Sequence, residues 1–262
     1  MILQTILLPE QRKILLQRQL DLNLLPSRVH RYMGFRKHTS KIFKDHAFQV
    51  HNPNTFNDPF DFNLDDSGEH TQDDLIAYLR SHGMPEEGIE AVVEEDQQNP
   101  GFILGIINKS KNETLRNCGV LCFSKNNSSL LMWAHYCDSH SGFVMTFDVA
   151  KDLTFFDFLL KVDYVKEYPK LCFIKNVSGV REEITSKSDH WIYEEEYRIV
   201  KEEAGLYSFD CSSLVEIRMG LRISASDEKQ LRHWLTNPLY KHVVLKRAVK
   251  IKNRYGLEFE NA

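Results

Sequence analysis

Runs rich in β-branched and aromatic residues recur from position 29 to position 259, but amphipathic helical stretches separate only some of them. That irregular alternation is the strongest constraint on the fold. A parallel sheet needs a crossover, usually a helix, between its strands, and this chain supplies no such regular period. The expected class is therefore α+β. Strands are expected at 29–35, 47–50, 119–124, 142–148, 159–168, 191–200, 214–219, 242–249 and 256–259. Helices are expected at 8–25, 71–81, 85–96, 128–138, 170–186 and 226–236, with a short one capped by Thr39 or Ser40. Pro9 opens the first, Thr71 with Asp74 three residues on forms a capping box, and Gly83 closes that second helix.

No internal repeat or low-complexity linker interrupts the chain. Residues 1–28 are expected to form an N-terminal helical extension, and residues 29–262 a single α+β domain. The first eight residues are rich in apolar side chains, carry no basic group and break at Pro9, which argues against a signal peptide or a membrane span. Five cysteines in no paired spacing suggest reduced thiols and a cytoplasmic protein. A formal net charge of −4 makes the whole molecule no magnet for nucleic acid, although a local patch could be one.

Chemistry concentrates at Trp191-Ile-Tyr193-Glu194-Glu195-Glu196-Tyr197-Arg198-Ile199-Val200. Read as one strand, its period-two alternation puts Glu194, Glu196 and Arg198 on one face and Tyr193, Glu195, Tyr197 and Ile199 on the other. Two carboxylates and a guanidinium so placed mark either a solvated face with an ion pair or a site. A second dense stretch, Asn57-Asp58-Pro59-Phe60-Asp61, suits an Asx-turn, and Asp58 and Asp61 could hold a ligand hydroxyl or steady Arg31.

Three signatures occur in order: Phe56-Asn57-Asp58-Pro59-Phe60-Asp61; Cys122-Phe123-Ser124 with Leu131-Met132-Trp133-Ala134-His135-Tyr136; and Trp191-x-Tyr193-Glu194-x-Glu196-x-Arg198. Together they resemble a bacterial family of unknown function over about residues 29–222. The chain also resembles, more distantly, ADP-ribosyltransferases of the Arg-Ser-Glu type. These carry an Arg on the first core strand, a Ser-bearing second motif and an acidic pair on a later strand. Arg31, Ser124 and Glu194-x-Glu196 follow that order, although there is no Ser-Thr-Ser run and the first two motifs stand further apart than usual. The resemblance implies a split β core surrounded by helices and a site for NAD as substrate.

Breaking the nicotinamide–ribose bond passes through an oxocarbenium-like cation, which a fixed carboxylate stabilises. Glu196 is assigned that role, and Glu194 the orienting or deprotonating of an acceptor. Arg31 would pair with the pyrophosphate. Tyr32 and Ser124 complete the cofactor-binding candidates, with Trp133 and Tyr136 sharing a helix face for stacking. No metal is expected from His135, Cys137 and His140, because His135 and Cys137, two apart on a helix, diverge and no fourth ligand is evident. Residues 229–254 hold eight Lys or Arg and no acid, interleaved with Trp234, Tyr240 and Tyr255, a stripe suited to nucleic acid or to a solvated edge.

The expected function is a glycosyl transfer: cleavage of NAD and modification of a nucleic acid or protein acceptor, without membrane attachment. Such an enzyme would suit a toxin or phage-defence effector held by an inhibitory antitoxin protein. The alternatives are a non-enzymatic nucleic-acid- or partner-binding module, and a metal-dependent hydrolase or nuclease using Asp58, Asp61 and the Glu pair.

Overall fold

The computed structural model describes residues 8–64, 69–175 and 179–262. Residues 1–7 of the apolar N-terminal run and 176–178 of the helix expected at 170–186 lie outside them. The first strands are β1 (Arg28–Met33), β2 (Ala47–Val50), β3 (Gly119–Ser124), β4 (Phe143–Asp148), β5 (Leu159–Lys161) and β6 (Asp163–Val165). The remainder are β7 (Ser186–Ser188), β8 (Glu196–Lys201), β9 (Gly205–Ser208), β10 (Leu214–Met219), β11 (Val244–Lys250) and β12 (Leu257–Asn261). The helices are α1 (Pro9–Asp21), α2 (Thr39–Asp45), α3 (Gln72–Ser81), α4 (Glu86–Gln98), α5 (Phe102–Asn117), α6 (Leu130–Tyr136), α7 (Gly179–Thr185) and α8 (Ala225–Trp234). Among the described residues no helix is long and apolar enough to cross a membrane.

Contacts group the described chain into two compact units, one of residues 8–51, 119–162 and 190–262, the other of 52–64, 69–118, 163–175 and 179–189. The larger unit is built on an eight-stranded mixed sheet in the order β12-β11-β10-β4-β1-β3-β8-β5. All neighbours are antiparallel except β10 and β11, whose crossover contains α8. In-register partners point to the same face, so the ladder sorts the side chains. One face carries Val29, Phe123, Met145, Phe147, Ile199 and Ile217, all almost fully buried. Leu16 of α1, Phe43 of α2, Phe48 of β2 and Leu231 of α8 complete that core. Phe43 stacks on Trp234 at 4.9 Å, tying α2 to α8. On the opposite face α6 lays Trp133 against Tyr32, Val144, Ala248 and Leu257.

The smaller unit pairs β6 with β7 in parallel and packs α3, α4 and α5 around Leu75, Leu79, Ile89, Val93 and Ile103. The capping box at Thr71 forms as expected: its hydroxyl accepts from the Asp74 amide (3.2 Å) and the Asp74 carboxylate accepts from the Thr71 amide (2.7 Å). Those bonds from Thr71 hold the Asp74 carboxyl below the usual range.

Three expected elements are corrected. The strand at 191–200 begins only at Glu196, because Asp189–Glu194 winds into a 3₁₀ helix and Glu195 takes a left-handed φ of 43°. Tyr193 and Glu195 therefore do not share a strand face with Tyr197 and Ile199. The run at 159–168 divides into β5 and β6 around Val162, whose amide bonds to the Glu196 carbonyl at 3.0 Å. Among the described residues of 170–186, regular helix covers only Gly179–Thr185. In the first two, aromatic and β-branched content raises strand propensity, but tertiary hydrogen bonding decides where the ladder ends.

Candidate functional site

Across the centre of the large sheet one register line is polar. Glu216, Thr146, His30, Ser124 and Glu196 sit side by side on β10, β4, β1, β3 and β8. All five are buried, between 1% and 7% exposed. Polar groups at such depth are costly unless bonded, and each finds a partner. Ser124 donates to the Glu194 carbonyl (2.6 Å) and accepts from the Asn126 amide (3.0 Å). His30 Nδ1 lies 3.0 Å from Thr146 Oγ1, and its Nε2 lies 3.3 Å from the Asn127 side-chain amide. An amide N–H facing Nε2 fits the tautomer in which Nδ1–H donates to Thr146. Glu216 accepts from Arg218 (2.5 Å) and Lys246 (2.8 Å).

Glu196 accepts from Arg198 through Nε (2.8 Å) and Nη2 (3.1 Å), a bidentate pair with Arg198 fully buried. The i,i+2 ion pair expected on a solvated strand is thus present, but inside the molecule. Glu194, from the end of the 3₁₀ turn, is 4% exposed and accepts from the Tyr136 hydroxyl at 2.5 Å. Glu195, between them, is exposed and accepts from Asn126 Nδ2 at 2.9 Å.

Electrostatics along the line follow burial. Desolvation pulls His30 down to about 4, helped by Arg218 and opposed by Glu216. Burial pushes Glu216 up, but the hydrogen bonds from Lys246 and Arg218 outweigh it and leave the carboxyl below its usual range. The Cys122 thiol is pushed well up by burial and by the neighbouring Glu196 carboxylate.

Beside this line the sheet opens. β1 and β3 pair at the single position His30↔Ser124, and at Val120 β3 exchanges hydrogen bonds with His51 instead (2.7 and 3.1 Å). The Cys122 carbonyl between those two points faces the gap. Arg31 fills it: Nη1 donates to that carbonyl at 2.5 Å. Its Nε is buried with no hydrogen-bond partner among the described residues. Burial lowers the Arg31 pKa, while Cys122, Glu196 and Tyr136 act to raise it. His51 is lowered by burial and then by Arg31. One guanidinium therefore lies within electrostatic reach of β3, β8, α6 and the end of β2.

Of the residues singled out from the sequence, Ser124, Tyr136, Glu194 and Glu196 sit together. Arg31, whose register partner is Met145 on the other face, reaches toward them through the gap at the Cys122 carbonyl, within electrostatic range of Glu196 and Tyr136. Trp133 and Tyr32 stand nearby in structural positions. Trp133 is fully buried, donates from Nε1 to the Asn127 carbonyl (3.1 Å), and has His140 and Phe259 stacked on it, each at 6.2 Å. Tyr32 donates to the Asn126 carbonyl at 2.9 Å. The shared helix face expected of Trp133 and Tyr136 thus resolves into one core residue and one ligand of Glu194. Asp58 does form an Asx-turn, accepting from the Phe60 amide at 2.9 Å. No three His, Cys, Asp or Glu among the described residues come together to hold a metal.

The basic stripe divides. Trp234 and Tyr240 belong to the core, Tyr240 with its hydroxyl 2.8 Å from His46 Nδ1. Arg232 and Arg247 pair with Glu228, and Lys246 with Glu216. The sequence reading missed His30, Thr146, Asn127 and Glu216. For Thr146 the signal was a lone polar residue in an apolar strand, Phe143-Val-Met-Thr146-Phe, whereas Asn127 lies in the loop after β3 and His30 and Glu216 share their strands with arginines.

Residues 132–199 match a family model described as "Protein of unknown function (DUF2971)". The match begins at Met132 within α6 and runs through Ile199, and leaves the Asn57–Asp61 turn and Cys122-Phe123-Ser124 outside. No curated protein and no solved structure matches the chain.

Proposed function

We propose that this chain is an ADP-ribosyltransferase-like enzyme that cleaves NAD and transfers ADP-ribose to a macromolecule. The observation that supports it best is the meeting of three strands far apart in sequence. β1 with Arg31, β3 with Ser124 and β8 with Glu196 are neighbours, and the sheet parts between the first two where Arg31 reaches across. A site drawing on Arg31, Ser124 and Glu196 requires those three strands to be adjacent, and their adjacency supports the reading.

In this reading the Arg31 guanidinium supplies the charge that pairs with the pyrophosphate of NAD. The nicotinamide–ribose C–N bond breaks with its electron pair leaving on nicotinamide, and Glu196 stabilises the cation left on the ribose. Arg198 fixes the Glu196 carboxylate so that no reorganisation is needed as charge develops. Glu194, oriented by Tyr136, takes the proton from the acceptor as its nucleophile bonds to the ribose carbon. Ser124, Tyr32 and Trp133 build the wall and tie down residues 126 and 127 rather than touch NAD. Because unrestrained NAD cleavage harms its own cell, a toxin or defence effector with an inhibitory partner is the fitting context.

The test is nicotinamide release from NAD, with labelled ADP-ribose traced into separate protein, RNA and DNA pools. Glu196→Gln should lower release by about 100- to 1,000-fold, the cost of losing one preorganised charge contact, with thermal unfolding confirming that the variant folds. Label in no pool and no nicotinamide released would overturn the proposal. A second reading, a non-enzymatic binding module, is favoured by the closed Glu196–Arg198 pair, which is satisfied without ligand. It predicts that Glu196→Gln changes stability alone.

A further inference from the structure

The hairpin joining β11 to β12 differs from the rest of the basic stripe. Elsewhere Arg232, Lys246 and Arg247 pair with carboxylates, Trp234 and Tyr240 belong to the core, and the exposed Lys229 and Lys241 adjoin no exposed aromatic in the sequence. At this tip Lys250, Lys252 and Arg254 are exposed and take no ion pair among the described residues. Between them and β12 stands Tyr255, 97% exposed, the highest value of any large apolar side chain described. The turn holds itself: the Ile251 amide bonds to the Gly256 carbonyl (3.3 Å), the Arg254 amide to the Ile251 carbonyl (3.4 Å), and Asn253 takes a left-handed φ of 58°. None of these bonds uses the Tyr255 ring. The ring contributes nothing to the core, yet it is held on a two-stranded projection at the edge of the sheet.

We propose that this tip is a docking surface for single-stranded nucleic acid, with Tyr255 as the stacking platform and Lys250, Lys252 and Arg254 as phosphate contacts. As the acceptor site of the transferase it rests on the function proposed above; as a binding surface it does not. The chemistry separates it from other anionic partners. A free aromatic face is sequence-tolerant for any base, and cations beside it follow the backbone. A membrane would require further apolar side chains at the tip, but Leu257 is buried and Ile251 is half-buried. An acidic peptide would gain from the cations and nothing from the ring.

The full chain is titrated, without NAD, against a fluorescein-labelled oligouridine dodecamer, read by anisotropy. Binding should weaken with salt at a log–log slope of about −2, from three phosphate contacts on a single strand. Tyr255→Ala should weaken binding roughly 5- to 150-fold, the range for one stacked base. The pair Lys252→Glu with Arg254→Glu should flatten the salt slope by more than half. Lys229→Glu with Lys241→Glu, equally exposed but outside the hairpin, should change affinity less than twofold. Four results would each overturn the proposal: no binding, a Tyr255→Ala variant that binds as before, a control pair that loses as much, or a duplex bound as tightly. Capture by phosphatidylglycerol vesicles in place of RNA would overturn it too. NAD cleavage measured on the same variants without acceptor should stay at the unsubstituted level. A failure of catalysis therefore leaves the binding result standing, and the reverse.

Discussion

The two faces of the large sheet are made by the same strands and held by different physics. On one, Val29, Phe123, Met145, Ile199 and Ile217 are apolar and almost fully buried, with Arg31 and Tyr197 among the members of that face that carry polar groups. On the other, one residue along each strand, His30, Ser124, Thr146, Glu196 and Glu216 form a line with few apolar members. The apolar face is stabilised by area removed from water and is indifferent to direction, so volume is what matters there. The polar face gains little net stability, and its order comes from bonds that each must be made. The contrast teaches that burial alone does not distinguish core from site; the chemistry buried does.

Adjacent residues of β8 give the sharpest test. Arg198→Ala should cost about 3–5 kcal/mol in denaturant unfolding, because it leaves the Glu196 carboxylate buried and without its bidentate partner. A loss below 1 kcal/mol would mean that water or another group replaces the guanidinium, and the polar face would be less enclosed than its exposure indicates.

Next in size is the response to acid. Folded His30 protonates near 4, against 6.5 when unfolded. Between those values the unfolded chain holds more protons, so stability should fall as pH drops through the window, by about 3 kcal/mol in all from this group. Above pH 6.5 the contribution should be constant. His30→Gln should remove that part of the acid slope; an unchanged slope would assign it to other groups.

The smallest effect lies across the sheet. Ile199→Val should cost about 0.5–1.5 kcal/mol and leave the acid slope untouched, since it removes one methylene from the face opposite His30. If Ile199→Val altered the acid response, the two faces would be coupled and the contrast would fail.

Much of the element pattern was legible in the chain. Strands at 47–50, 119–124 and 214–219 fall where the apolar runs place them, and the Thr71 cap forms as its spacing requires. Each depends on neighbours a few residues away. The start of β8 was not legible, because Tyr193 and Trp191 carry strand propensity that the reversal at Glu195 overrides. Nor could Trp133 be told from a ligand-stacking ring until His140 and Phe259 were seen to cover it. The cations of residues 229–254 looked uniform in sequence; only the fold shows which meet Glu216 and Glu228 and which remain free at the hairpin.

The chain by itself determined the α+β class, most element positions and the order Arg31, Ser124, Glu194-x-Glu196, since propensity, capping and periodicity act over a few residues. Tertiary structure alone decided that β1, β3 and β8 are neighbours, that Arg31 crosses a gap in the sheet, and that Arg198 clasps Glu196. Those outcomes depend on which distant strands share a ladder. That choice is made by burying one apolar face and satisfying one polar line together, and no local stretch of sequence encodes it.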